Sequence, residues 1–252
     1  MKKILAMVLV AMFALAGMAA VAENGTLVMA TNCAFPPYEY YDDETGEPTG
    51  IDVEIVKMIA EELGYEFKME DMEFGSIITG VQQGKYDVGA GAITITEERK
   101  QSVDFTTPYE SAIQQVVVLA DSELNSMEAI RAADGLVIGV QQDTTGHYYA
   151  QDDLCAGNNN TVNPYPVAAT AIQALKSGAV DAVVVDNGPA QEFVAGDDSL
   201  LMFLSDCPPE EYGFCFAKEN TELYEAFNAA LEAKLADGTI DAILTKFKSE
   251  AE

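Results

Sequence analysis

The stretches at residues 78–88 (ITGVQQGKYDV) and 172–182 (IQALKSGAVDA) decide the fold of this chain, because they repeat one pattern. Gly84 and Gly178 stand 94 residues apart, and so do the two aspartates that follow three positions later. In each stretch a helical segment ends at the glycine, a short turn leads to the aspartate, and an apolar strand follows. Glycine is common just after a helix, and the apolar run is typical of a strand.

A strand, a helix, a glycine turn and a second strand make up the βαβ unit of a parallel sheet. Two copies predict an α/β protein with two similar lobes, each containing a mixed, mostly parallel sheet flanked by helices. Ligands of such sheets bind beyond the carboxyl ends of the strands. We therefore expect the segments after Asp87 and Asp181 to face one cleft.

The N-terminal segment is typical of an export signal rather than of a folded domain. Two lysines precede an apolar run at residues 4–15, and small residues follow as far as Ala22. We predict a signal peptide over residues 1–22, cleaved after about Ala22, and a soluble mature protein in the periplasm. Met18 stands where a lipid-bearing cysteine would be needed to tether the protein to a membrane.

The chain is strongly acidic, with 13 basic and 42 acidic side chains and a formal net charge of −29. The predicted signal peptide carries two of the basic residues, so its removal leaves a charge of −31. Such a surface repels nucleic acid and anionic lipid, so neither is expected as a partner. Solubility accounts for the acidity, which carries no information about the fold.

Four cysteines in an exported chain allow three complete disulfide pairings. Cys207 and Cys215 flank a loop with two prolines that could bring them together. Cys33 and Cys155 fall in different predicted lobes. The sequence does not choose between the pairings, and the Cys207–Cys215 bridge is the one we consider.

Short strands alternate with helices along the rest of the chain. Asp52 is predicted to cap a helix whose apolar stripe ends at Leu63. The apolar run at residues 116–120 is predicted to be a strand that crosses between the lobes. Such short strands, rather than a long flexible linker, are suited to a hinge. Near the C-terminus one helix is predicted to have a single apolar face formed by Leu223, Phe227, Leu231 and Leu235.

Most enzymatic sites are excluded by what the sequence lacks. His147 is the only histidine, so a Ser-His-Asp or Cys-His arrangement would have one candidate base and no surrounding motif. No zinc spacing and no glycine-rich phosphate loop is present. We therefore expect no catalytic residue, no metal and no cofactor.

The remaining polar residues suit a zwitterion. Arg99 offers a planar fork for a carboxylate, Thr94 a hydroxyl, and Asp186 a carboxylate for an ammonium group. Phe35 and Phe74 offer aromatic faces for a side chain. Taken singly, the alternatives remain open: Arg99 as a solvated residue at a helix start, Asp186 as a helix N-cap, and the phenylalanines as core.

These motifs resemble the polar amino-acid family of extracellular solute-binding proteins, which feed ABC importers. The resemblance extends from the first strand to the last helix. The matching segments are residues 34–38 (AFPPY), 50–54 (GIDVE), 84–87 (GKYD), 94–96 with 98–99, 103–109 (VDFTTPY), 139–141 with 144–146, 178–182, 212–213 and 236–239 (ADGT).

The resemblance implies a role for each candidate residue. Arg99 would bind the α-carboxylate with backbone N–H groups at Thr145, and Asp186 would bind the α-ammonium with the Thr94 hydroxyl and the carbonyl near Ala92. The two phenylalanines would flank the side chain of the ligand. The expected ligand-binding residues are Asn32, Phe35, Phe74, Ala92, Thr94, Arg99, Gln141, Thr145 and Asp186.

The same resemblance implies a type II periplasmic binding-protein fold with a two-strand hinge. Residues 23–110 with 208–252 would form lobe 1, and residues 111–207 lobe 2. The predicted protein is a monomeric receptor that closes on a free L-amino acid and docks on the membrane permease of an ABC transporter. Two alternatives are a cyclohexadienyl or arogenate dehydratase-like enzyme on the same fold, for which no general acid stands out, and a ligand-sensing receptor.

Two departures from the family pattern bear on the side chain of the ligand. Asn32 stands where basic-amino-acid and glutamine binders usually carry Asp, and Val185 replaces a polar residue. A buried cationic side chain without a partner would cost several kcal/mol. Acidic ligands would lack a second cation, because Arg99 is committed to the α-carboxylate. We therefore predict a neutral amino acid, aliphatic or amide-bearing.

Overall fold

The computed structural model describes residues 24–249, so the predicted signal peptide lies outside the described residues. Most strands within this range are short. In chain order they are β1 Thr26–Thr31, β2 Tyr40–Tyr41, β3 Pro48–Thr49, β4 Glu66–Asp71, β5 Val88–Gly89, β6 Val103–Phe105, β7 Glu110–Ala112, β8 Gln114–Leu119, β9 Val137–Gln141, β10 Thr161–Tyr165, β11 Ala182–Asp186, β12 Leu200–Leu204, β13 Glu210–Tyr212 and β14 Cys215–Ala217.

Helices separate most of these strands. They are α1 Ile51–Glu62, α2 Phe74–Gln82, α3 Met127–Ala132, α4 Thr145–Tyr149, α5 Ala168–Lys176, α6 Asn187–Val194, α7 Thr221–Ala236 and α8 Thr239–Ser249. A 3₁₀ turn at Arg99–Gln101 and a π-helical turn at Ala150–Leu154 complete the helical segments of residues 24–249.

Ten of these strands form two five-stranded sheets with the same internal plan. The first sheet has the order β4-β1-β5-β14-β6, and the second has the order β10-β9-β11-β8-β12. Three neighbouring strands of each sheet are parallel. The fourth strand, β14 or β8, runs antiparallel to both of its neighbours. The prediction of an α/β fold with two mixed, mostly parallel sheets is confirmed.

The sequence repeat has the same local structure in both copies. The glycine after α2 and the glycine after α5 have positive φ values of 68° and 74°, which favour glycine. The carboxylate of Asp87 accepts a hydrogen bond from the N–H of Val28 at 2.7 Å. The carboxylate of Asp181 accepts one from the N–H of Val137 at 2.8 Å. Each aspartate therefore ties the turn after its helix to the middle one of the three parallel strands in its own sheet.

Two short strands join the sheets. The chain passes from the first sheet to the second along β7 and returns along β13, and these two strands pair antiparallel. The prediction that the apolar run at residues 116–120 crosses between the sheets was wrong. Residues 116–119 belong to β8, which lies between β11 and β12. Its valines are fully buried, as expected of a strand that helices cover on both faces.

The four cysteines are free, so the Cys207–Cys215 bridge is not formed. Cys215 begins β14 and is buried with Ile77 in the core of the first sheet. Cys207 packs against a core cluster of the second sheet. Because β13 carries the chain from one sheet to the other between them, the proline-containing loop does not fold back on itself.

The C-terminal helices lie on the first sheet's side of the molecule. Helices α7 and α8 contact each other and α1. The predicted apolar face of α7 is present, with Leu223, Phe227 and Leu231 buried and Leu235 partly buried. Within residues 24–249, no helix combines the length and the apolar composition that crossing a membrane requires.

Candidate functional site

A cavity lies between the two sheets. All nine residues expected from the sequence to bind a ligand lie in its wall. Three further residues line it, and sequence reasoning had assigned none of them to the site. The lining residues are Asn32, Phe35, Glu39, Phe74, Gly91, Ala92, Thr94, Arg99, Gln141, Thr144, Thr145 and Asp186.

The lining residues meet because many of them follow the carboxyl ends of parallel strands. Asn32 comes just after β1, and the segment at residues 91–94 comes after β5. Gln141 ends β9, and Asp186 ends β11. As the repeat indicates, the segments after its two aspartates face each other across one cavity, at the position where such sheets bind ligands.

Arg99 lies between two backbone carbonyls from different parts of the chain. Its Nη1 donates to the carbonyl of Thr94 at 2.9 Å, and its Nη2 donates to the carbonyl of Asp143 at 3.3 Å. Its Cζ lies 5.3 Å from the ring centroid of Phe74, a cation–π contact that orients the guanidinium. Burial lowers the pKa of Arg99, but a guanidinium stays protonated in proteins. Such a planar cation matches a carboxylate.

Asp186 presents a buried carboxylate to the same cavity. One of its oxygens accepts from the amide of Gln114, and the other accepts from the hydroxyl of Tyr212. It occupies the N-cap position of α6, but its side chain does not cap the helix. Burial, and next the carboxylate of Glu210, raise the pKa of Asp186 to about 7. An ammonium group beside Asp186 would stabilise its charged form.

Asp52 shapes the loop beside the cavity instead of capping α1. The prediction of a cap was wrong, because the helix begins after Gly50 and no side chain caps it. Asp52 is fully buried and accepts from the N–H groups of Gly91 at 2.8 Å and Ala92 at 2.9 Å, and from the hydroxyl of Tyr109. These bonds hold a loop in which Ala92 has a positive φ of 47°. Burial raises the pKa of Asp52 to about 6.

A chain of hydrogen bonds fixes which amide atoms face the ligand space. The carbonyl of Met72 only accepts, so Asn32 directs its Nδ2 to this carbonyl at 2.8 Å and its Oδ1 to Gln141. Gln141 must therefore donate through Nε2, at 2.9 Å. Its Oε1 is buried, and no donor among the described residues reaches it. Such an acceptor needs a donor from elsewhere.

Glu39 is an acidic lining residue that the motif analysis missed. Its backbone pairs with Phe35 through a hydrogen bond of 2.8 Å, because the two prolines turn the chain back. Its side chain is 1% exposed, and its Oε2 has no hydrogen-bond partner within residues 24–249. Burial, and then the carboxylates of Asp52, Asp186 and Asp71, raise the pKa of Glu39 well above its ordinary value.

Sequence reasoning also missed the residues that hold the lining side chains in place. Gln114 and Tyr212 bind Asp186, and Glu210 accepts from the hydroxyls of Thr94 and Thr145. One available signal was the pair of glutamines, Gln114 and Gln115, at the start of the otherwise apolar strand β8. In the described part of the chain, no group of three His, Cys, Asp or Glu side chains is placed to hold a metal ion.

The family model of the bacterial extracellular solute-binding proteins, family 3, matches residues 27–250. The chain belongs to this family. A family 3 solute-binding protein is not an enzyme, as predicted, and the dehydratase alternative is set aside.

This family 3 solute-binding protein is 28% identical over 225 residues to the arginine-binding extracellular protein ArtP of Bacillus subtilis, covering 88% of this chain and 85% of the relative. An ancestral arginine-binding protein bound to arginine has a TM-score of 0.82 and 37% identity, covering 88% of this chain and 98% of that one. An ancestral arginine-binding protein bound to glutamine has a TM-score of 0.80 and 38% identity, covering 88% and 97%. These similarities confirm the type II periplasmic binding-protein fold.

Proposed function

We propose that this protein is the periplasmic receptor of an ABC amino-acid importer, working as a monomer that delivers its ligand to a membrane permease. Residues 23–110 with 208–252 form one lobe and residues 111–207 the other, with signal-peptide cleavage after about Ala22. The paired strands β7 and β13 act as the hinge. The separate five-stranded sheets and the cavity between them support this division.

The two ends of a free amino acid are held by charged residues of different lobes. Arg99 binds the α-carboxylate together with the first N–H groups of α4, which begins at Thr145. Asp186 binds the α-ammonium together with the hydroxyl of Thr94 and the backbone at Ala92. Contacts to both lobes exist only in the closed form, so the ligand shifts the equilibrium towards closure.

The charge of the cavity wall supports a cationic side chain, with arginine as the first candidate. Glu39, Asp186 and Arg99 give the wall two acidic groups and one basic group. Arginine carries the complementary set: a carboxylate, an ammonium and a guanidinium. Its guanidinium has five N–H donors, and the buried Oε2 of Glu39 and Oε1 of Gln141 are acceptors that the described residues leave unpartnered. This match is the observation that carries the proposal.

A neutral, amide-bearing ligand such as glutamine is the second candidate. The prediction of a neutral ligand rested on the absence of an acidic residue near the side chain, and Glu39 removes that premise. The neutral alternative is nevertheless supported by the raised pKa of Glu39, because burial favours its uncharged form. Uncharged Glu39 would donate a hydrogen bond to an amide oxygen.

A thermal-shift screen of the twenty amino acids tests the proposed function. A ligand at about 100 times its dissociation constant stabilises the folded protein by about 2.7 kcal/mol. We expect arginine to give the largest shift, followed by lysine or glutamine. A screen in which no amino acid raises the melting temperature would contradict the proposed receptor function, and one led by aliphatic amino acids would contradict only the cationic ligand.

The two candidate ligands should differ in their pH dependence. An ammonium lowers the pKa of Asp186 from about 7, so any amino acid releases this proton and binds more tightly as pH rises towards that value. Arginine should also release the proton of Glu39, whose pKa is raised by burial. Calorimetry between about pH 5 and pH 8 should therefore show a steeper rise for arginine than for glutamine. Equal slopes would contradict the pairing of arginine with Glu39.

A further inference from the structure

Glu210 accepts hydrogen bonds from both sides of the cleft. Its Oε2 lies 2.7 Å from the Thr94 hydroxyl, which follows a strand of the first sheet. The same oxygen lies 2.8 Å from the Thr145 hydroxyl, which follows a strand of the second sheet. The amide of Gln114 approaches the carboxylate at 3.4 Å. Glu210 is half-buried and lies on β13, one of the two strands that join the sheets.

These bonds determine which way the hydroxyl of Thr94 points. A hydroxyl has one proton to donate, whereas a carboxylate only accepts. The Thr94 proton is therefore directed at Glu210, and the remaining lone pairs of its oxygen can only accept. An ammonium group offers donors alone, so a Thr94 hydroxyl held in this orientation suits the α-ammonium of a ligand.

The strand that carries Glu210 also holds the other components of the expected ammonium site. Thr94 forms a β-bridge with Tyr212, and the N–H of Ile95 donates to the carbonyl of Glu211 at 2.8 Å. The hydroxyl of Tyr212 donates to Asp186. A shift of β13 would therefore move the groups around both Thr94 and Asp186 together.

We propose that Glu210 is a positioning residue for the α-ammonium and that it links the two lobes of the closed receptor. It acts through the hydroxyls of Thr94 and Thr145 and does not need to touch the ligand. This role rests on the proposed amino-acid receptor function. One strand of the hinge, β13, then contributes to the specificity for an amino group.

Three single variants test this role by calorimetry with L-arginine. Glu210→Gln keeps the shape and one acceptor oxygen but removes the negative charge, and Glu210→Asp keeps the charge but withdraws the oxygens from the two hydroxyls. Each is expected to weaken binding about tenfold or more, a typical effect for a hydrogen bond to a charged group. The control Glu211→Gln removes the neighbouring, exposed charge and should change affinity less than about twofold. Wild-type affinity in Glu210→Asp would show that charge alone matters and would overturn the proposal.

A double-mutant cycle separates positioning from general damage. In a Thr94→Val background, adding Glu210→Gln or Glu210→Asp should cost less than about threefold, because the hydroxyl that Glu210 orients is gone. Full, additive losses would overturn the proposal. Thermal unfolding without ligand shows whether each variant is folded. If Glu210→Gln does not fold, the test rests on Glu210→Asp. Wild-type protein that binds none of the twenty amino acids would contradict the receptor function instead.

Discussion

Replacement of Arg99 by alanine is expected to weaken amino-acid binding by about 2–4 kcal/mol. The loss is large because the α-carboxylate would be desolvated in the cavity without its cation. The effect should be nearly the same for every amino acid, since all share this group. Calorimetry with arginine and glutamine measures it directly.

The chain provides a matched control for this variant. Arg131 is an exposed arginine that pairs with Asp206 at 2.8 Å, and Arg131→Ala should leave binding within about threefold of wild type. Arg99→Lys should also bind poorly, because a point charge does not reproduce a bidentate fork. If Arg99→Ala bound within about threefold of wild type, Arg99 would not be the carboxylate-binding residue.

Replacement of Glu39 by glutamine is expected to cost arginine about 3–5 kcal/mol of binding free energy. The guanidinium would then be buried beside an uncharged amide instead of a carboxylate. Glutamine should bind the same variant within about tenfold of its wild-type affinity, because an uncharged ligand leaves no unpaired charge in the cavity. The wild-type protein should therefore prefer arginine, and the Glu39→Gln variant should prefer glutamine. Competition binding measures this change.

Two controls show whether the effect of Glu39→Gln is specific to the side chain of the ligand. The exposed Glu44 stands five residues further along the chain, and Glu44→Gln should not change the preference. The melting temperature of ligand-free Glu39→Gln should not fall far, because the wild-type carboxyl is buried among other acidic groups. Equal losses for arginine and glutamine would contradict a contact between Glu39 and the ligand side chain.

The architecture was predictable because its signals are local. Each glycine of the repeat ends a helix within its own segment, and a strand begins directly after Asp87 and after Asp181. Asp186 ends β11 and Arg99 lies in the segment after β5, and the carboxyl ends of such parallel strands meet in any sheet of this kind. Sequence reasoning therefore brought together residues that lie around one cavity.

The errors concern side chains whose partners are distant in sequence. Asp52 had the spacing of a helix cap, but it binds a loop about 40 residues further along the chain. Glu39 directly follows the AFPPY motif at residues 34–38, and only the turn at the prolines brings it to the cavity wall. Cys207 and Cys215 flank a loop whose extended path no local pattern indicates. In each case the structure depends on contacts with another segment of the chain. Composition and spacing carry no information about those contacts.

A calorimetric titration with three compounds tests most directly whether both ends of an amino acid are bound in the cavity. The compounds are L-arginine, its methyl ester, which lacks the carboxylate, and Nα-acetyl-L-arginine, which lacks the ammonium group. We expect one molecule of L-arginine to bind per protein and each blocked compound to bind weaker by at least about 2 kcal/mol, because it leaves Arg99 or Asp186 unpaired. Binding of either blocked compound as tightly as L-arginine would contradict the assignment of these two residues to the ends of the ligand.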